Sequence, residues 1–153
     1  MSWLSGNDLL KAIQSNADEA TRQAFYGIYS IDVLPTFVPH YPLLLIVNTD
    51  TRNLPGTHWK VIFIDKDRRG EVFDSLAYTV NPVIYQWMNR FTRSWIRNQK
   101  IFQLPLAATC GAYALYFVLN RLSHKSMSDT MKHFNARFST NEAKVLAFYD
   151  KLQ

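Results

Sequence analysis

Hydrophobic residues near the start of the chain recur at close to the spacing of an α-helix. Between Asn7 and Ala24 the apolar positions are Leu9, Leu10, Ile13, Ala17, Ala20 and Ala24. Asn7 or Asp8 offers the short polar side chain that commonly caps a helix N-terminus. The pattern therefore predicts one helix over residues 7–24.

The segment that follows, Phe25–Pro42, is rich in aromatic residues and prolines. Pro35, Pro39 and Pro42 each lack the backbone N–H that a helix interior requires. We therefore expect an irregular connector between the first helix and the rest of the chain.

Three later segments have the composition of β-strands. Leu43–Val47 is a continuous apolar run bounded by Pro42 and Asn48, which is typical of a strand buried on both faces. Trp59–Ile64 and Glu71–Phe73 predict two more strands, and the polar residues 65–70 between them predict a turn. Two strands joined by a short turn pair as an antiparallel hairpin.

Helical patterns occupy the second half of the chain. Pro82–Arg97 places large apolar residues on one side, namely Ile84, Trp87, Met88, Phe91 and Trp95. Cys110–Leu122 is apolar almost throughout, which is typical of a buried central helix. The tail from Ser126 to Gln153 predicts two short helices. Helices packed around a small central mixed or antiparallel sheet predict an α+β fold.

The composition agrees with a single folded domain over residues 1–153. The chain is 48% hydrophobic and 19% charged, which is enough to bury a core and excludes a disordered tail or a fibrous repeat. No apolar run approaches the roughly 20 residues that cross a bilayer. The first residues lack the pattern of a secretory signal. We therefore expect a soluble, intracellular protein with no membrane partner.

The numbers of cysteines, histidines and charged residues limit which disulfides, metal sites and partners the chain can have. The single cysteine, Cys110, excludes an internal disulfide and a cysteine-rich zinc site. His40, His124 and His133 show no metal-ligand spacing, so no metal is predicted. Seventeen basic and 12 acidic residues give a net charge of +5, which favours a polyanion such as nucleic acid as a partner without requiring one.

Four basic residues form a spaced series near the end of the predicted helix 82–97. Arg90, Arg93, Arg97 and Lys100 are separated by three, four and three positions, which would put them along one helix face. Such a stripe could follow the phosphates of a nucleic acid. The alternative is the solvated outer face of a helix with an apolar inner face, and the spacing alone favours this second interpretation.

Four other residues are candidates for a catalytic site. His58 lies just before the strand 59–64, and Asp74 lies just after the strand 71–73. In an antiparallel hairpin these positions are close enough for a carboxylate to orient an imidazole. Cys110 begins the apolar helix, and Gln103 lies seven residues earlier, in the loop that leads to it.

These residue types supply the parts of a cysteine nucleophile. A thiol is mostly protonated at neutral pH, whereas the thiolate attacks. The positive end of a helix dipole and an adjacent imidazolium both stabilise the thiolate, and a carboxylate on the other ring nitrogen fixes the tautomer. The Gln103 amide and the Cys110 backbone N–H are candidate donors to the oxyanion that forms in acyl transfer.

Each of the four also has a purely structural interpretation. A lone cysteine in an apolar run is usually a small buried side chain, and a histidine at a strand edge is usually a surface residue. Asp74 beside Ser75 could begin a turn, and Gln103 alone carries no signal. Their joint occurrence on suitable elements leaves the catalytic and structural interpretations evenly balanced.

The motifs around these residues resemble the adenovirus-type cysteine proteases, the adenain family. The resemblance rests on residues 25–29 (FYGIY), 37–40 (FVPH), 46–49 (IVNT) and 56–59 (GTHW), and on Gln103 followed by Cys110-Gly111. It covers roughly residues 9–122 and follows the order His, acid, Gln, Cys. The wider group that contains the SUMO-deconjugating proteases has the same order, whereas papain-like enzymes place Cys before His.

The resemblance implies a role for each candidate. Cys110 would be the nucleophile at the N-terminus of the central helix of an adenain-like fold, His58 the general base, Asp74 the orienting acid and Gln103 the oxyanion donor. Adenovirus enzymes typically have Glu where this chain has Asp74, whereas the deconjugating relatives have Asp. The shorter side chain needs a closer approach but can fill the same role.

Activation is the second point at which this chain differs from the adenovirus enzymes. Those enzymes are activated by DNA and by a peptide tethered through a second cysteine, which this chain lacks. The resemblance therefore implies a non-covalent peptide activator or none. It also brings the two interpretations of the basic series Arg90, Arg93, Arg97 and Lys100 to nearly equal weight, with DNA as a possible cofactor.

The predicted function is a cysteine endopeptidase that cleaves precursor polypeptides of a virus or virus-like element next to glycine. We expect a monomer in the host nucleus or the virion, whose chemistry needs no cofactor. One alternative is a protease that removes ubiquitin-like proteins with the same four residues. The other is a basic nucleic-acid-binding protein without catalysis.

Overall fold

The structure, a computed structural model, describes residues 3–49 and 58–153. Gly56 and Thr57, which belong to the motif around His58, lie outside the described residues. Within the described ranges the chain forms six α-helices and one five-stranded β-sheet.

The first predicted helix is interrupted, so the prediction of one helix over 7–24 is wrong. Helix α1 spans Gly6–Asn16 and helix α2 spans Glu19–Ala24. The break arises because the Asp18 carboxylate accepts a hydrogen bond from the Thr21 N–H at 2.8 Å and caps a new helix.

The cap of α1 also differs from the prediction. Ser5, rather than Asn7 or Asp8, is the N-cap residue. Its hydroxyl accepts the N–H of Asp8 at 3.1 Å, and the Asp8 carboxylate accepts the N–H of Ser5 at 2.8 Å. This reciprocal capping box satisfies two backbone donors and fixes the start of the helix.

Strand β1, Phe25–Ser30, lies in the segment predicted as an irregular connector. It pairs in parallel with β2, Leu43–Asn48. All six residues of β1 are half-buried, so the strand lacks the alternation that signals a β-strand in a sequence. The connector prediction is right only after Ser30, where a single 3₁₀ turn over Ile31–Val33 leads into an irregular segment.

The three predicted strands are present. β2 pairs antiparallel with β3, Trp59–Ile64, which pairs antiparallel with β4, Arg69–Phe73. Every residue of β2 is buried, as its continuous apolar run predicts. The hairpin β3–β4 places Val61 opposite Phe73, so the start of β3 lies beside the end of β4.

Helix α3 spans Pro82–Phe91 and ends six residues earlier than the predicted helix 82–97. The chain then forms β5, Ser94–Arg97, which pairs in parallel with β4. The helix stops at Thr92, which has an extended backbone and whose hydroxyl donates to the Met88 carbonyl at 2.6 Å. The prediction of one helix through Arg97 is therefore wrong.

Three helices follow the sheet. α4 spans Cys110–Asn120 and is buried along most of its length, as predicted for a central helix. A 3₁₀ turn at Arg121–Ser123 leads to α5, Met127–Met131. The last helix, α6, spans Phe138–Lys151 and is longer than the short helix predicted for the tail.

The sheet has the order β1-β2-β3-β4-β5 and is covered on both faces. Side chains such as Leu44 and Ile46 face a core shared with α1, α4, α5 and α6, whereas Leu43 and Leu45 face a core shared with α3. This mixed sheet between helices confirms the predicted α+β fold class. No helix among the described residues has the length and apolar character needed to span a membrane.

Candidate active site

His58 and Asp74 lie at neighbouring ends of β3 and β4. Nε2 of His58 is 2.7 Å from Oδ1 of Asp74. The His58 side chain is 13% exposed and that of Asp74 is 5% exposed, so this contact is largely shielded from water. The carboxylate fixes the orientation of the imidazole and leaves Nδ1 to face the rest of the site.

The Asp74 carboxylate is held by the turn that follows β4. Its Oδ1 accepts the N–H of Leu76 at 2.9 Å, and its Oδ2 accepts the N–H of Tyr78 at 3.1 Å. The buried Lys60 ammonium is 3.4 Å from Oδ2. Burial would raise the pKa of Asp74, but the His58 contact and the Lys60 charge outweigh it and lower the pKa below its ordinary value. Asp74 is therefore a carboxylate at neutral pH.

Cys110 is the first residue of α4, and its side chain is hydrogen-bonded to His58. The residue is only 1% exposed. The sulfur therefore lies at the N-terminal end of a buried helix. Gly111 lets the N-terminal segment pack against the helix start, because a Cβ at Gly111 would lie 3.0 Å from Cβ of Leu4.

The imidazole of His58 has a shifted pKa because it lies between two acidic groups. Burial alone would lower the pKa of His58. The hydrogen bonds to Asp74 and Cys110, together with the attraction of both charges, overcome burial and raise the pKa to about 9. The site is therefore built to hold an imidazolium between a carboxylate and a sulfur at neutral pH.

The Gln103 amide is held at both ends in the loop before α4. The Ser75 hydroxyl donates to Oε1 at 2.5 Å, and Nε2 donates to the Ala107 carbonyl at 2.7 Å. A primary amide nitrogen carries two N–H groups, so one of them can bond Ala107 while the second is the candidate oxyanion donor. Gln103 is 1% exposed, like Cys110.

The structure thus brings three of the four predicted residues into direct contact. Asp74, His58 and Cys110 form one hydrogen-bonded series, and Gln103 is tied to Ser75, the residue after Asp74. The arrangement can form a thiolate, accept and return a proton, and offer a donor to an oxyanion. The role of each residue stays a prediction.

Asn98 belongs to the site and was missed in the sequence. Its Oδ1 accepts the N–H of Asp74 at 2.9 Å, and its Nδ2 donates to the Asp74 carbonyl at 2.7 Å and to the Lys100 carbonyl at 3.0 Å. Asn98 follows β5, which the sequence assigned to a helix, so nothing in the pattern placed it beside Asp74.

Glu142 on α6 is a second residue that sequence reasoning missed. It accepts a hydrogen bond from the Thr109 hydroxyl at 2.7 Å and another from the Tyr113 hydroxyl. Burial, followed by the bond and charge of Glu142, raises the pKa of Tyr113 well above its ordinary range. A signal did exist, since Glu142 lies three residues before the buried Val145 on one face of α6.

The four basic residues predicted to form a helical stripe belong to different elements, which corrects that prediction. Arg90 lies in α3, Arg93 lies between α3 and β5, Arg97 ends β5, and Lys100 lies in the following loop. The Arg97 guanidinium donates to the Ala77 carbonyl at 3.3 Å and so braces the loop that carries Tyr78. Contacts of these residues with DNA stay a prediction.

The remaining histidines have other neighbours: His40 contacts Tyr26 and the Pro42 carbonyl. His124 and His133 have ring centroids 6.4 Å apart. In residues 3–49 and 58–153, no group of three His, Cys, Asp or Glu side chains is placed to hold a metal ion.

Comparison with known proteins shows which proteins this chain is similar to. No protein-family model matches the chain. A cysteine protease of African swine fever virus is 29% identical over 112 residues, which cover 63% of this chain and 38% of that protein. The chain is similar in sequence to this viral cysteine protease. The predicted resemblance to the adenain-like group of cysteine proteases is therefore confirmed.

Solved structures share the adenain-like fold. The crystal structure of the pS273R protease of African swine fever virus matches with a TM-score of 0.60 at 16% identity, over 94% of this chain and 69% of that one. ChlaDub1 from Chlamydia trachomatis matches with a TM-score of 0.54 at 16% identity, over 72% of this chain and 58% of that one. The chain spans only about two fifths of the length of the viral relative found by sequence, so its activity is inferred from its own site.

Proposed function

We propose that the chain is a cysteine endopeptidase that cleaves polypeptide precursors next to glycine. The observation that carries the proposal is the His58 imidazole, which bonds the Asp74 carboxylate on one side and the Cys110 side chain at the start of α4 on the other. A buried cysteine with a purely structural role needs neither contact.

The first half of the reaction forms an acyl-enzyme. The Cys110 thiolate attacks the scissile carbonyl carbon, so a C–S bond forms and the carbonyl oxygen becomes an oxyanion. The second N–H of Gln103 and the backbone N–H of Cys110 are the donors that we assign to this oxyanion. When the tetrahedral intermediate collapses, the C–N bond breaks and His58 gives its proton to the leaving amine.

The second half regenerates the enzyme. Neutral His58 takes a proton from a water molecule, which attacks the thioester carbon. The C–S bond breaks, the acid product leaves, and Cys110 returns to a thiolate beside an imidazolium. Asp74 stays ionised throughout and holds the ring in position.

Burial of the nucleophile supports a preference for glycine. Cys110 and Gln103 are each 1% exposed, so a substrate backbone must enter a narrow space to reach the sulfur. A residue without a side chain can approach most closely. The similarity to a viral protease further supports precursors of a virus or virus-like element as substrates.

Digestion of a mixed peptide library tests the proposal. Wild type and Cys110→Ala are incubated side by side, and the cut sites are read by mass spectrometry. We expect cuts next to glycine in the wild-type lane and none with Cys110→Ala, because Cys110 is the single cysteine of the 153 residues. Cleavage that persists in the variant would exclude the assignment of Cys110.

Removal of ubiquitin-like proteins is the second candidate function. Asp74 favours it, since the resemblance assigns Asp to the deconjugating proteases and Glu to the adenovirus enzymes. A ubiquitin-like protein that ends in an electrophile is the direct probe. Rapid labelling of wild type but not of Cys110→Ala would establish this function, whereas peptide cleavage without labelling would favour the endopeptidase.

Activation by DNA or by a peptide is an extension of the same proposal. The library digestion is repeated with double-stranded DNA at low and high salt. We propose that Arg90, Arg93, Arg97 and Lys100 contact the phosphates, in which case stimulation falls as salt rises. Equal cleavage with and without DNA at low salt would remove DNA from the mechanism.

A further inference from the structure

Ser75 lies between the two halves of the proposed active site. It follows Asp74 directly, and it is 1% exposed. Its hydroxyl donates to Oε1 of Gln103 at 2.5 Å. Its carbonyl accepts the backbone N–H of Phe102 at 2.9 Å and that of Gln103 at 3.1 Å. Both the side chain and the backbone of Ser75 therefore hold the segment that carries Gln103.

The chemistry of the amide explains why two anchors are needed. The Ala107 carbonyl can only accept a hydrogen bond, so it determines that Nε2 rather than Oε1 of Gln103 faces it. This single bond leaves the amide plane free to rotate about it. The Ser75 hydroxyl, which can donate, holds the opposite end of the amide and so fixes the plane. The direction of the second N–H is then set before a substrate arrives.

We infer that Ser75 is a positioning residue that aims the Gln103 amide at the oxyanion, and this inference rests on the proposed function. Asp74 orients the general base and Ser75 orients the oxyanion donor, so consecutive residues of one turn align both parts of the site. A preorganised donor stabilises the developing charge without reorganising during the reaction.

A double-mutant cycle tests the inference on the full chain. Ser75→Ala, Gln103→Ala and the double variant are compared with wild type for kcat and KM on a glycine-containing peptide cleaved by the wild-type protein. We expect Gln103→Ala to lower kcat by about 10²–10³. Ser75→Ala should lower kcat by about 10–100, with KM little changed, because a misdirected donor affects the transition state. In the Gln103→Ala background, Ser75→Ala should change kcat by less than about twofold.

The rate of Cys110 alkylation distinguishes a misplaced Gln103 amide from a general disruption of the site. Reaction of the thiolate with iodoacetamide depends on His58 but forms no oxyanion, so Ser75→Ala should leave its rate unchanged. Thr130→Val is the matched control, because Thr130 is also fully buried and its hydroxyl donates to the Ser126 carbonyl at 2.9 Å in α5. The control should cost stability without lowering kcat.

A second pair of variants covers a failure of Ser75→Ala to fold. Threonine and valine side chains have nearly the same shape, but threonine has a hydroxyl where valine has a methyl group. The Ser75→Thr variant should therefore retain a kcat at least about tenfold above that of Ser75→Val.

Each result distinguishes the inference from the proposed function. If the wild-type protein cleaves the peptide, two results would overturn the positioning role alone. One is an equal kcat for Ser75→Thr and Ser75→Val. The other is an equal loss of kcat from Ser75→Ala in the wild-type protein and in the Gln103→Ala variant. No cleavage by wild type, with Cys110 still alkylated, would overturn the proposed function and this inference with it.

Discussion

The pKa of His58 depends on the charged groups around it. Its pKa of about 9 results from the contacts with Asp74 and Cys110, which outweigh burial. The ordinary value in an unfolded chain is about 6.5. Because the pKa is raised on folding, His58 adds stability that is fully present below about pH 6.5 and is lost as the pH rises through about 9.

The pH profile of cleavage should report the same group. We expect kcat/KM to fall on the alkaline side with an apparent pKa near 9, as the imidazolium loses its proton. In Asp74→Asn this limb should move toward lower pH, because the variant removes a charge that raises the pKa of His58. Rates measured from about pH 6 to pH 10.5 check both. An alkaline limb that is the same in both proteins would contradict the role of Asp74.

Residues of the site differ in how far the sequence could place them. The positions of His58 and Asp74 follow from the antiparallel hairpin, since strand register fixes which residues lie side by side. Cys110 was identified by its place at the start of an apolar run. Asn98 and Lys60 could not be found in this way, because their contacts with Asp74 depend on tertiary packing that leaves no periodic signal.

At the scale of elements, the buried parts were predictable and the edges were not. β2 and α4 are buried over long continuous runs, so their sequences identify them. β1 and β5 are the outer strands, each with a partner on one side within the described sheet. Partial exposure weakens the hydrophobic pattern of both, and in β5 the apolar residues continued the helical spacing of α3.

The packing of β4 against α3 and β5 gives a stability prediction. A Cβ at Gly70 would lie 2.5 Å from Cε of Met88, 2.7 Å from Cγ2 of Thr92 and 3.1 Å from Cβ of Trp95. The Met88 methyl can move, but the other two atoms lie near the backbone. Gly70→Ala should therefore destabilise the protein by about 1–3 kcal/mol in urea unfolding.

Gly6→Ala is the control for this substitution. A Cβ at Gly6 would meet Cη2 of Trp59 at 3.7 Å, an ordinary contact, and alanine favours a helix. This variant should be at least as stable as wild type. Equal unfolding midpoints for the two alanine variants would contradict the close packing at Gly70.

At the scale of the whole molecule, segments distant in sequence support helix α4, which begins at Cys110. Trp59 Nε1 donates to the Leu4 carbonyl at 3.0 Å and ties the N-terminal segment to β3. Glu142 ties α6 to both Thr109 and Tyr113 at the start of α4. The last turn of α4 is held as well, because the buried Arg121 that follows it bonds the carboxylate of Glu71 at 2.7 Å. The site therefore depends on contacts from both ends of the described chain.

Glu142→Gln tests this dependence. The substitution keeps the size of the side chain. It replaces one of the two carboxyl oxygens, each of which accepts from a buried hydroxyl, with an amide nitrogen that can only donate. We expect a loss of about 1–3 kcal/mol in the free energy of unfolding and a lower kcat. Urea unfolding and peptide cleavage measure the two effects. Glu19→Gln, an exposed change in α2, is the control, and equal behaviour of the two variants would contradict the link between α6 and the site.

The solitary, shielded sulfur at the start of α4 has a consequence for redox chemistry. These 153 residues contain one cysteine, and it is 1% exposed. A small oxidant such as peroxide that reaches Cys110 would produce a sulfenic acid with no second thiol in the chain to close a protective disulfide. Recovery would then require an external thiol small enough to enter the same narrow space. The lifetime of the reduced sulfur under oxidants would therefore depend on the small thiols present around the protein.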